Sequence, residues 1–472
     1  MDRRQFLKSV GALSATGASP LARAKNSTED KSDHPDFALV AKPSEVQIVG
    51  PEFESTKVWT FNGVVPGSPV RVKRGQAASI RVTNQLQQPT AVHWHGIRLP
   101  NEMDGVAGLT QPAIKVGESF DYHFAPPDAG TFWYHSHVNA FEQVGRGLYG
   151  PLIVEESDPP KVDREMVWMI DDWRLLEDAS ISDDFGMMHD RSHAGRIGNV
   201  PTVNGRFRDL IPVRSGERVR LRIINAANAR NFALRFEELS PQLIAIDGQP
   251  VVPQKIDEPI IIGAAGRIDL IVDFSGTPGS TSSVIDQFYR NEYSLTQFVY
   301  SNEPPLRGAP PDWPLQLQSS GIPEPDLANA VQQQVVIAGG AMGGLARAKL
   351  KGEWQDLRTL ARQGYVWALN DTVSHKLDMP PLVDVKLGTT VKFTIENQTA
   401  FPHPMHLHGH HMQLLSIDGN PVSEKRWVDS PLLLPRQRME LAFVADNPGK
   451  WLFHCHALEH HAAGLGALVL VS

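Results

Sequence analysis

One residue constrains this chain more than any other: Cys455, the only cysteine among 472 residues. It stands in the segment His454-Cys455-His456, and His460 follows shortly after. A lone thiol cannot form a disulfide within its own chain, and a thiol between imidazoles has the neighbours of a metal ligand rather than of a structural residue. The fold must therefore bring further ligands to this segment from distant parts of the chain.

Histidine pairs of the form His-x-His recur more often than chance provides. Random placement of 18 histidines in a chain of this length gives roughly one such pair at most, whereas this chain has five. Four have distinctive neighbours: His93-Trp94-His95, His135-Ser136-His137, His403-Pro404-Met405-His406-Leu407-His408 and His454-Cys455-His456. The fifth, His408 with His410, shares a member with the third and carries less weight.

The spacing of these pairs indicates two metal sites that share one strand. Side chains alternate between the two faces of a β-strand, so both histidines of a pair point one way and the middle residue points the other. Cys455 would then face one metal, while His454 and His456 would face another. A thiolate with two imidazoles and a weak axial ligand is typical of a blue-copper electron-transfer site. The imidazoles available for it are His403 and His460.

The eight histidines of the four pairs suit a cluster of several coppers that could hold dioxygen. Zinc is the alternative metal. A structural zinc site is complete with four ligands, however, and the clustered imidazoles exceed that requirement. Copper is therefore the favoured metal.

Three copies of one strand pattern divide the chain. In each copy a glycine is followed nine residues later by an asparagine, in the pairs Gly75 and Asn84, Gly216 and Asn225, and Gly388 and Asn397. Apolar and polar residues alternate between them, which is typical of a half-buried strand. Short strands with frequent turn signals predict a β-sandwich for each copy. The predicted fold class is therefore all-β, with three β-sandwich domains.

We expect these domains to span residues 36–158, 159–303 and 331–472, with a proline-rich linker at 301–327. The first and third domains also share their ends, because the sequence GTFWY precedes His135 as GKWLF precedes His454. Ser136 thus occupies the position that corresponds to Cys455. The second domain has no histidine pair at this point and is expected to act as a spacer.

The amino-terminal segment predicts export. Two arginines, a short apolar stretch and the sequence Ala22-Arg23-Ala24 follow one another as in a bacterial twin-arginine (Tat) signal peptide, residues 1–24. We therefore expect the Tat export machinery as a partner, a periplasmic location and no stable membrane span, because the apolar stretch is too short to remain in a bilayer. A formal net charge of −8 argues against a nucleic-acid partner. A monomer is expected, since the sandwiches of one chain can form an interdomain cluster unaided.

Together these motifs resemble those of the multicopper oxidases, in particular the three-domain bacterial laccase-like and copper-efflux oxidases. The resemblance covers nearly the whole chain after the signal peptide. It implies cupredoxin-like sandwiches, four copper ions, and electron transfer from a small reducing substrate to dioxygen, which is reduced to water. The substrate would be a phenol, an aromatic amine or a metal ion.

The resemblance also implies roles for individual residues. The type 1 copper, which accepts electrons, would be held by His403, Cys455 and His460, and His460 would face the substrate. The type 2 copper would be held by His93 and His406. The type 3 pair would take the remaining six histidines, which are His95, His135, His137, His408, His454 and His456.

Three further positions bear on the mechanism. Leu465, ten residues after Cys455, occupies the axial position where copper-efflux relatives usually have methionine, and loss of the thioether predicts a higher reduction potential. Asp104 corresponds to an acidic residue that relays protons to the cluster, although a simple Asp104-Gly105 turn is an alternative explanation. His461 stands where relatives commonly have a second carboxylate.

Several alternatives stay open at this stage. Met187-Met188-His189 with His193, or His410-His411, could hold an additional soft metal ion, although packing is the simpler explanation. The chain has only eleven methionines, and Met342 alone lies in the glycine-rich segment 339–344, which argues against a dedicated cuprous-ion channel. A periplasmic copper-binding or copper-tolerance protein with incidental oxidase activity is the alternative function. A ligand-free scaffold is disfavoured, because the ligand set is complete.

Overall fold

A computed structural model describes residues 35–374, 377 and 381–472. The predicted signal peptide, residues 1–24, lies outside the described residues. Strands dominate the described chain, and its longest helix, Leu357–Arg362, has six residues. The predicted all-β fold class is therefore confirmed. No helix in the described part of the chain is long and apolar enough to cross a membrane.

The first group of strands encloses one apolar core between two four-stranded sheets. The elements are β1 Phe37–Val46, β2 Thr56–Phe61, β3 Val70–Lys73, β4 Ala78–Asn84, β5 Val92–His95, a 3-10 helix Asn101–Met103, β6 Ser119–Phe124, β7 Gly130–Ser136, α1 Ala140–Gln143 and β8 Tyr149–Glu155. The sheet orders are β2-β1-β4-β6 and β3-β8-β7-β5. Burial alternates along β4 as the sequence pattern predicts.

The second group has a core of its own between a six-stranded and a five-stranded sheet. The elements are β9 Arg164–Trp173, α2 Met188–Ser192, β10 Val200–Val203, β11 Leu210–Val213, β12 Arg218–Asn225, β13 Phe232–Phe236, β14 Gln242–Ile246, β15 Gln249–Lys255, β16 Ile260–Ile262, β17 Arg267–Asp273, β18 Thr281–Asp286 and β19 Tyr293–Tyr300. The sheet orders are β10-β9-β12-β17-β14-β15 and β11-β19-β18-β13-β16. Residues 301–330, which include the predicted linker, contain no strand or helix.

The third group repeats this arrangement with a seven-stranded and a five-stranded sheet around the largest core. The elements are β20 Val331–Gly339, β21 Arg347–Leu350, β22 Glu353–Asp356, α3 Leu357–Arg362, β23 Trp367–Leu369, β24 Val383–Val385, β25 Thr390–Asn397, β26 His403–Leu407, β27 Met412–Ile417, β28 Asn420–Pro421, β29 Trp427–Val428, β30 Leu432–Leu433, β31 Arg438–Val444, β32 Gly449–Cys455, α4 Leu458–Ala462 and β33 Gly466–Val471. The larger sheet has the order β23-β20-β25-β31-β27-β28, and β29 also pairs with β27. The smaller sheet has the order β24-β33-β32-β26-β30, and β21 pairs with β22 as a separate hairpin.

All three groups contain the same asparagine turn. Asn62, Asn204 and Asn370 have φ angles of 63°, 50° and 45°, a left-handed conformation that asparagine tolerates because its side chain can bond locally. Each Oδ1 accepts a hydrogen bond from a backbone N–H of β1, β9 or β20, at 2.7, 2.8 and 2.7 Å respectively. The side chain thus ties the turn to the first strand of each group.

Strand register brings the histidine pairs together. In the first group β5 and β7 are antiparallel neighbours, and His93 lies opposite His135. In the third group β26 and β32 pair in the same way, and His406 lies opposite His454. Each sandwich therefore presents two adjacent strands that carry histidines.

Candidate metal centres

His403, Cys455 and His460 form a compact group in the third sandwich, which we call the thiolate group. Cys455 Sγ lies 3.5 Å from His403 Nδ1 and 3.7 Å from His460 Nδ1, and the two nitrogens are 3.1 Å apart. All three side chains are completely buried. His403 opens β26, Cys455 closes β32, and the chain turns at once into α4, which carries His460 back to the thiol.

The proton positions in the thiolate group follow from the contacts of its outer nitrogens. His460 Nε2 lies 2.7 Å from the backbone carbonyl of His193, which can only accept, so this nitrogen carries the proton. His403 Nε2 lies 2.9 Å from the Thr399 hydroxyl, whose own proton goes to a neighbouring side-chain oxygen at 2.8 Å. Each Nδ1 therefore turns a lone pair toward Cys455, as a metal ligand requires.

The eight paired histidines gather where the first and third sandwiches meet. Their side chains define groups whose ligand nitrogens lie within 4.8 Å of one another: His93, His95 and His406; His95, His135 and His456; and His137, His408 and His454. We call the whole set the histidine cluster. The alternation expected at the end of β32 continues into the next residue, because His454 and His456 belong to the histidine cluster and Cys455 belongs to the thiolate group.

In five of these imidazoles the proton lies on Nδ1, because that nitrogen faces a hydrogen-bond acceptor. A carbonyl cannot donate, so a ring nitrogen that faces it must be the donor. The carbonyl contacts are His93 Nδ1 to Asp104 O at 2.8 Å, His135 Nδ1 to Ser136 O at 3.0 Å, His406 Nδ1 to Asp429 O at 3.0 Å and His454 Nδ1 to Cys455 O at 2.9 Å. His408 Nδ1 likewise donates to a carboxylate oxygen, Asp104 Oδ2, at 2.8 Å. The Nε2 atoms of these rings consequently carry lone pairs.

These lone pairs face one another at distances that suit a shared metal ion. His93 Nε2 and His406 Nε2 are 3.3 Å apart, and His408 Nε2 and His454 Nε2 are 3.1 Å apart. Two lone pairs at this separation repel unless a cation lies between them. Imidazole binds zinc at about 2.0–2.1 Å, and similar bond lengths put two ligands of one ion about 3.2 Å apart. The donor set therefore fits metal ions, and thiolate with imidazole is a combination suited to copper.

Burial favours the metal-binding state of the imidazoles but opposes that of the Cys455 thiol. It lowers the pKa of seven cluster imidazoles below 6.5, and repulsion between neighbouring rings adds to this effect; these are His95, His135, His137, His406, His408, His454 and His456. Burial also raises the pKa of the Cys455 thiol. A bound cation is therefore needed to form the thiolate at neutral pH.

A buried ion pair reaches the histidine cluster from the second sandwich. The Arg267 nitrogens Nη1 and Nη2 lie 2.6 and 2.5 Å from the two carboxylate oxygens of Asp429, and both side chains are completely buried. Burial opposes ionisation of Asp429, but the charge and hydrogen bonds of Arg267 outweigh it and hold the pKa of that carboxyl well below its usual range. Asp429 Oδ1 lies 3.2 Å from His95 Nε2. Because His95 Nε2 faces this carboxylate, the proton of the ring lies on Nε2. His95 Nδ1 has no hydrogen-bond partner among the described residues and is free to bind a metal.

Sequence reasoning missed this ion pair. Its signal was an arginine at the start of β17, an otherwise largely apolar strand with the sequence RIDLIVD. A buried cation in such a strand requires a buried anion nearby, but the sequence does not say where. The second sandwich is thus more than the expected spacer.

Asp104 is both a turn residue and a neighbour of the histidine cluster. Its completely buried carboxylate lies 2.8 Å from His408 Nδ1 and 3.2 Å from His93 Nδ1. Gly105 follows with a φ of 83°, and a Cβ at this position would lie 1.8 Å from the Val92 carbonyl oxygen. Because glycine has no Cβ, the backbone here can lie close to β5, which holds the Asp104 carboxylate beside the cluster. Asp104 is therefore a turn residue that also contacts the cluster, and its role as a proton relay stays a prediction.

The other singled-out residues occupy supporting positions. Leu465 is completely buried in the apolar core that contains Cys455, and its carbonyl accepts the Cys455 N–H at 3.1 Å. His461 packs against His454 with ring centroids 4.3 Å apart, and burial lowers its pKa to about 4. His411 Nε2 lies 3.3 Å from Asp429 Oδ2 and so joins the buried ion pair.

Comparison with known proteins extends over nearly the whole chain. Family profiles of multicopper oxidases match residues 44–159, 165–291 and 353–472. Multicopper oxidase MmcO of Mycobacterium tuberculosis is 30% identical, over 96% of this chain and 90% of that protein. Copper resistance protein A of Pseudomonas syringae pv. tomato is 26% identical, over 98% of each chain. The crystal structure of a multi-copper oxidase from Pseudomonas thermotolerans superimposes with a TM-score of 0.80 at 32% identity, over 92% of this chain and 98% of that chain.

Proposed function

Because this chain belongs to the multicopper oxidase family and is an oxidoreductase, we propose that it couples one-electron oxidations of a small substrate to the four-electron reduction of dioxygen to water. The substrate is a phenolic or other aromatic donor, or a metal ion such as Cu(I). One observation carries the proposal. Neighbouring residues of β32 belong to two donor groups, so a few covalent bonds join the site that accepts electrons to the site that holds dioxygen.

The ligand assignment follows the two groups. The thiolate group, His403, Cys455 and His460, would hold the type 1 copper. His93 and His406 would hold the type 2 copper. The type 3 pair would divide the other six histidines between its two ions, with His95, His135 and His456 on one and His137, His408 and His454 on the other. When bound, the four coppers supply one-electron storage and a place for dioxygen.

The chain's own residues prepare this chemistry. We propose His460, with its proton held on Nε2 by a backbone carbonyl, as the ligand that receives electrons from the substrate. Asp104 contacts two cluster ligands and is placed to pass protons toward dioxygen, whose reduction consumes them. We also propose the domain bounds 36–158, 159–303 and 331–472, and export through the Tat pathway to the periplasm as a monomer.

A copper-binding or copper-tolerance role is the second candidate. It is favoured by the similarity to copper resistance protein A along almost the full length of both chains. In that case the copper sites would fill without appreciable turnover.

Oxygen uptake by the copper-reconstituted protein distinguishes the two. We expect about four coppers per chain by metal analysis, and one dioxygen consumed for every four one-electron donor molecules. A phenol and Cu(I) are compared separately, with a Cys455→Ser variant as the control that lacks the type 1 thiolate. Copper binding without uptake from either donor would support the tolerance role and reject the oxidase.

A further inference from the structure

Asn228 lies where the three sandwiches meet. It stands in the second sandwich between β12 and β13, and it is 4% exposed. Its Nδ2 donates to the Phe141 carbonyl in α1 at 2.6 Å and to Glu459 Oε1 in α4 at 3.0 Å. Its own backbone carbonyl accepts the N–H of Leu458 at 3.0 Å. This residue therefore contacts the first and the third sandwich at the same time.

The orientation of the Asn228 amide follows from its partners. A backbone carbonyl can only accept, so the amide nitrogen must face Phe141, and its second hydrogen goes to Glu459. Asn228 Oδ1 is then left without a hydrogen-bond partner in the part of the chain that the structure describes. A buried oxygen without a partner is unfavourable, so the two contacts of the nitrogen are what hold this side chain in place.

In the first sandwich, the contact reaches the histidine cluster through α1. This helix begins three residues after His137. Its completely buried Gln143 ties it to the segment directly before β5, because the Thr90 hydroxyl donates to Gln143 Oε1 at 2.8 Å and Gln143 Nε2 donates to the Pro89 carbonyl at 2.8 Å. Since β5 carries two histidines of the cluster, α1 is fixed relative to the ligands of the first sandwich.

In the third sandwich, the contact reaches the same cluster through α4. Leu458, the first residue of α4, comes two residues after His456, and Glu459 directly precedes His460. The Glu459 carboxyl group is completely buried, and its Oε2 accepts the Arg196 N–H at 3.1 Å. The second sandwich therefore holds both oxygens of this carboxyl group, a short stretch of chain away from the ligands of β32.

The spacing that this junction controls is one between ligands of different sandwiches. His135 Nε2 of the first sandwich and His456 Nε2 of the third are 3.4 Å apart. An apolar cluster drawn from all three sandwiches also lies here, and it includes Trp133, Ala226 and Leu458. Apolar packing is not directional, whereas hydrogen bonds have preferred distances and angles. The two bonds of one amide can therefore define the relative position of α1 and α4 more closely than the apolar contacts do.

We propose that Asn228 is a positioning residue, which holds α1 and α4 together and thereby sets the spacing of the cluster ligands that come from the first and third sandwiches. The proposal rests on the copper assignment proposed above. It gives the second sandwich, which supplies none of the predicted ligands, a part in the assembly of the histidine cluster. The thiolate group does not depend on this spacing, because all three of its ligands come from the third sandwich.

Copper affinity tests the junction. Asn228→Ala removes the amide and keeps the backbone carbonyl that accepts from Leu458. The copper-loaded variant is titrated with a copper chelator, while metal analysis follows total copper and the blue absorption follows the thiolate group. The histidine cluster should bind copper about tenfold or more less tightly than in the wild-type protein, because its ligands lose a partner that orients them. The thiolate group should release its copper at the same chelator concentration as in the wild-type protein.

Asn231→Ala is the matched control. Asn231 lies in the same loop, is 2% exposed, and accepts the Ala264 N–H at 3.2 Å within the second sandwich. Its removal should lower the free energy of unfolding without changing the ratio of the copper affinities of the two groups. A merely structural role of Asn228 would give the same result, so an unchanged ratio in Asn228→Ala would overturn the proposal.

A second variant keeps the test decisive if Asn228→Ala does not fold. In the pair Asn228→Asp with Glu459→Gln, donor and acceptor exchange places, so the contact with α4 is kept and the bond to Phe141 is lost. The histidine cluster should again bind copper about tenfold or more less tightly, and wild-type affinity would reject the junction.

The wild-type protein separates this failure from that of the copper assignment. Copper bound at both groups of the wild-type protein, with unchanged affinities in the variants, would reject the junction alone. If the wild-type protein binds no copper beyond the thiolate group, the copper assignment fails and the junction proposal fails with it.

Discussion

The thiolate group and the histidine cluster are neighbours along β32, yet their surroundings differ in charge. The outer nitrogens of His403 and His460 contact a hydroxyl and a backbone carbonyl, both of which are neutral. The histidine cluster instead touches two buried carboxylates, those of Asp104 and Asp429. The thiolate group also draws its ligands from the third sandwich alone, whereas the histidine cluster needs the first and third sandwiches together.

This difference matches the role that we propose for each group. Electron transfer at a single copper with one thiolate moves no protons, so neutral partners that fix the rings are sufficient. A cluster of several cations in a buried site gains from nearby negative charge, and dioxygen reduction consumes protons that a carboxylate can supply. The second sandwich contributes to both groups without supplying a predicted copper ligand, through the His193 carbonyl on one side and Arg267 on the other.

The largest expected effect is the loss of the copper site at the thiolate group while the histidine cluster stays intact. Cys455→Ser should abolish the blue absorption and substrate-driven oxygen uptake, because the hydroxyl does not replace the thiolate as a ligand, while the histidine cluster keeps its copper. Absorption spectra, metal analysis and oxygen uptake together measure this. Ser136→Ala, at the corresponding position of the first sandwich, should retain the absorption and the uptake. Loss of all copper from Cys455→Ser would show that the two groups do not fill independently.

Removal of the guanidinium should damage the histidine cluster selectively. Arg267→Met leaves the buried carboxylate of Asp429 without its cation, which should lower the free energy of unfolding by about 3–5 kcal/mol. Copper should be lost from the histidine cluster before the blue absorption declines. Denaturant titration and copper analysis measure the two effects. Arg206→Met, which breaks an exposed ion pair with Asp209, is the control and should change the unfolding free energy by less than about 1 kcal/mol.

Asp104→Asn tests whether protons matter at one group and not at the other. The amide keeps the size of the carboxylate but cannot relay a proton in the same way, so turnover should fall by about 100-fold with copper content intact. Under anaerobic conditions, the donor should reduce the copper held by the thiolate group at the wild-type rate. When dioxygen is then added, reoxidation of the reduced coppers should be slower than in the wild-type protein. Normal turnover would reject the relay role.

In the copper-free protein, histidines in or beside both groups should lower the free energy of unfolding over the same pH range. Burial lowers the pKa of His460, in the thiolate group, and of His461, beside the histidine cluster, from 6.5 to about 4. The unfolded chain therefore binds more protons than the folded one below pH 6.5, so stability is lost as the pH falls from 6.5 toward 4. Urea midpoints measured at intervals from pH 7.5 to 4 test this, and a midpoint that stays constant over that range would contradict it.

The smallest expected effect concerns the axial position. Leu465→Met offers a thioether as a ligand to the copper held by the thiolate group. The reduction potential of that copper should fall by about 60 mV, a tenfold change in a one-electron equilibrium. Redox titration of the blue absorption measures the shift. Leu465→Ile, which adds no ligand, should leave the potential near the wild-type value, and a potential that does not fall in Leu465→Met would remove Leu465 from the axial role.

Much of the fold and of the two candidate donor groups was predictable because it depends on local patterns. The strand pattern between Gly75 and Asn84 appears as β4, and its counterparts appear as β12 and β25. The opposed directions of Cys455 and its two histidine neighbours follow from the alternation of side chains along one strand. The contact between Arg267 and Asp429 joins residues 162 positions apart in different sandwiches, and no local pattern predicts such a pair.

The sequence by itself determined the all-β class, the histidine and cysteine donors, and the division of β32 between two sites, because strand alternation is a property of neighbouring residues. Only the tertiary structure decided how the eight histidines group around shared positions and which carboxylates and carbonyls fix their protons. It alone showed that the backbone carbonyl of His193, directly after α2, contacts His460. These features depend on how the sandwiches pack against one another, and such long-range packing is set by the shapes of complete surfaces rather than by the spacing of residues along the chain.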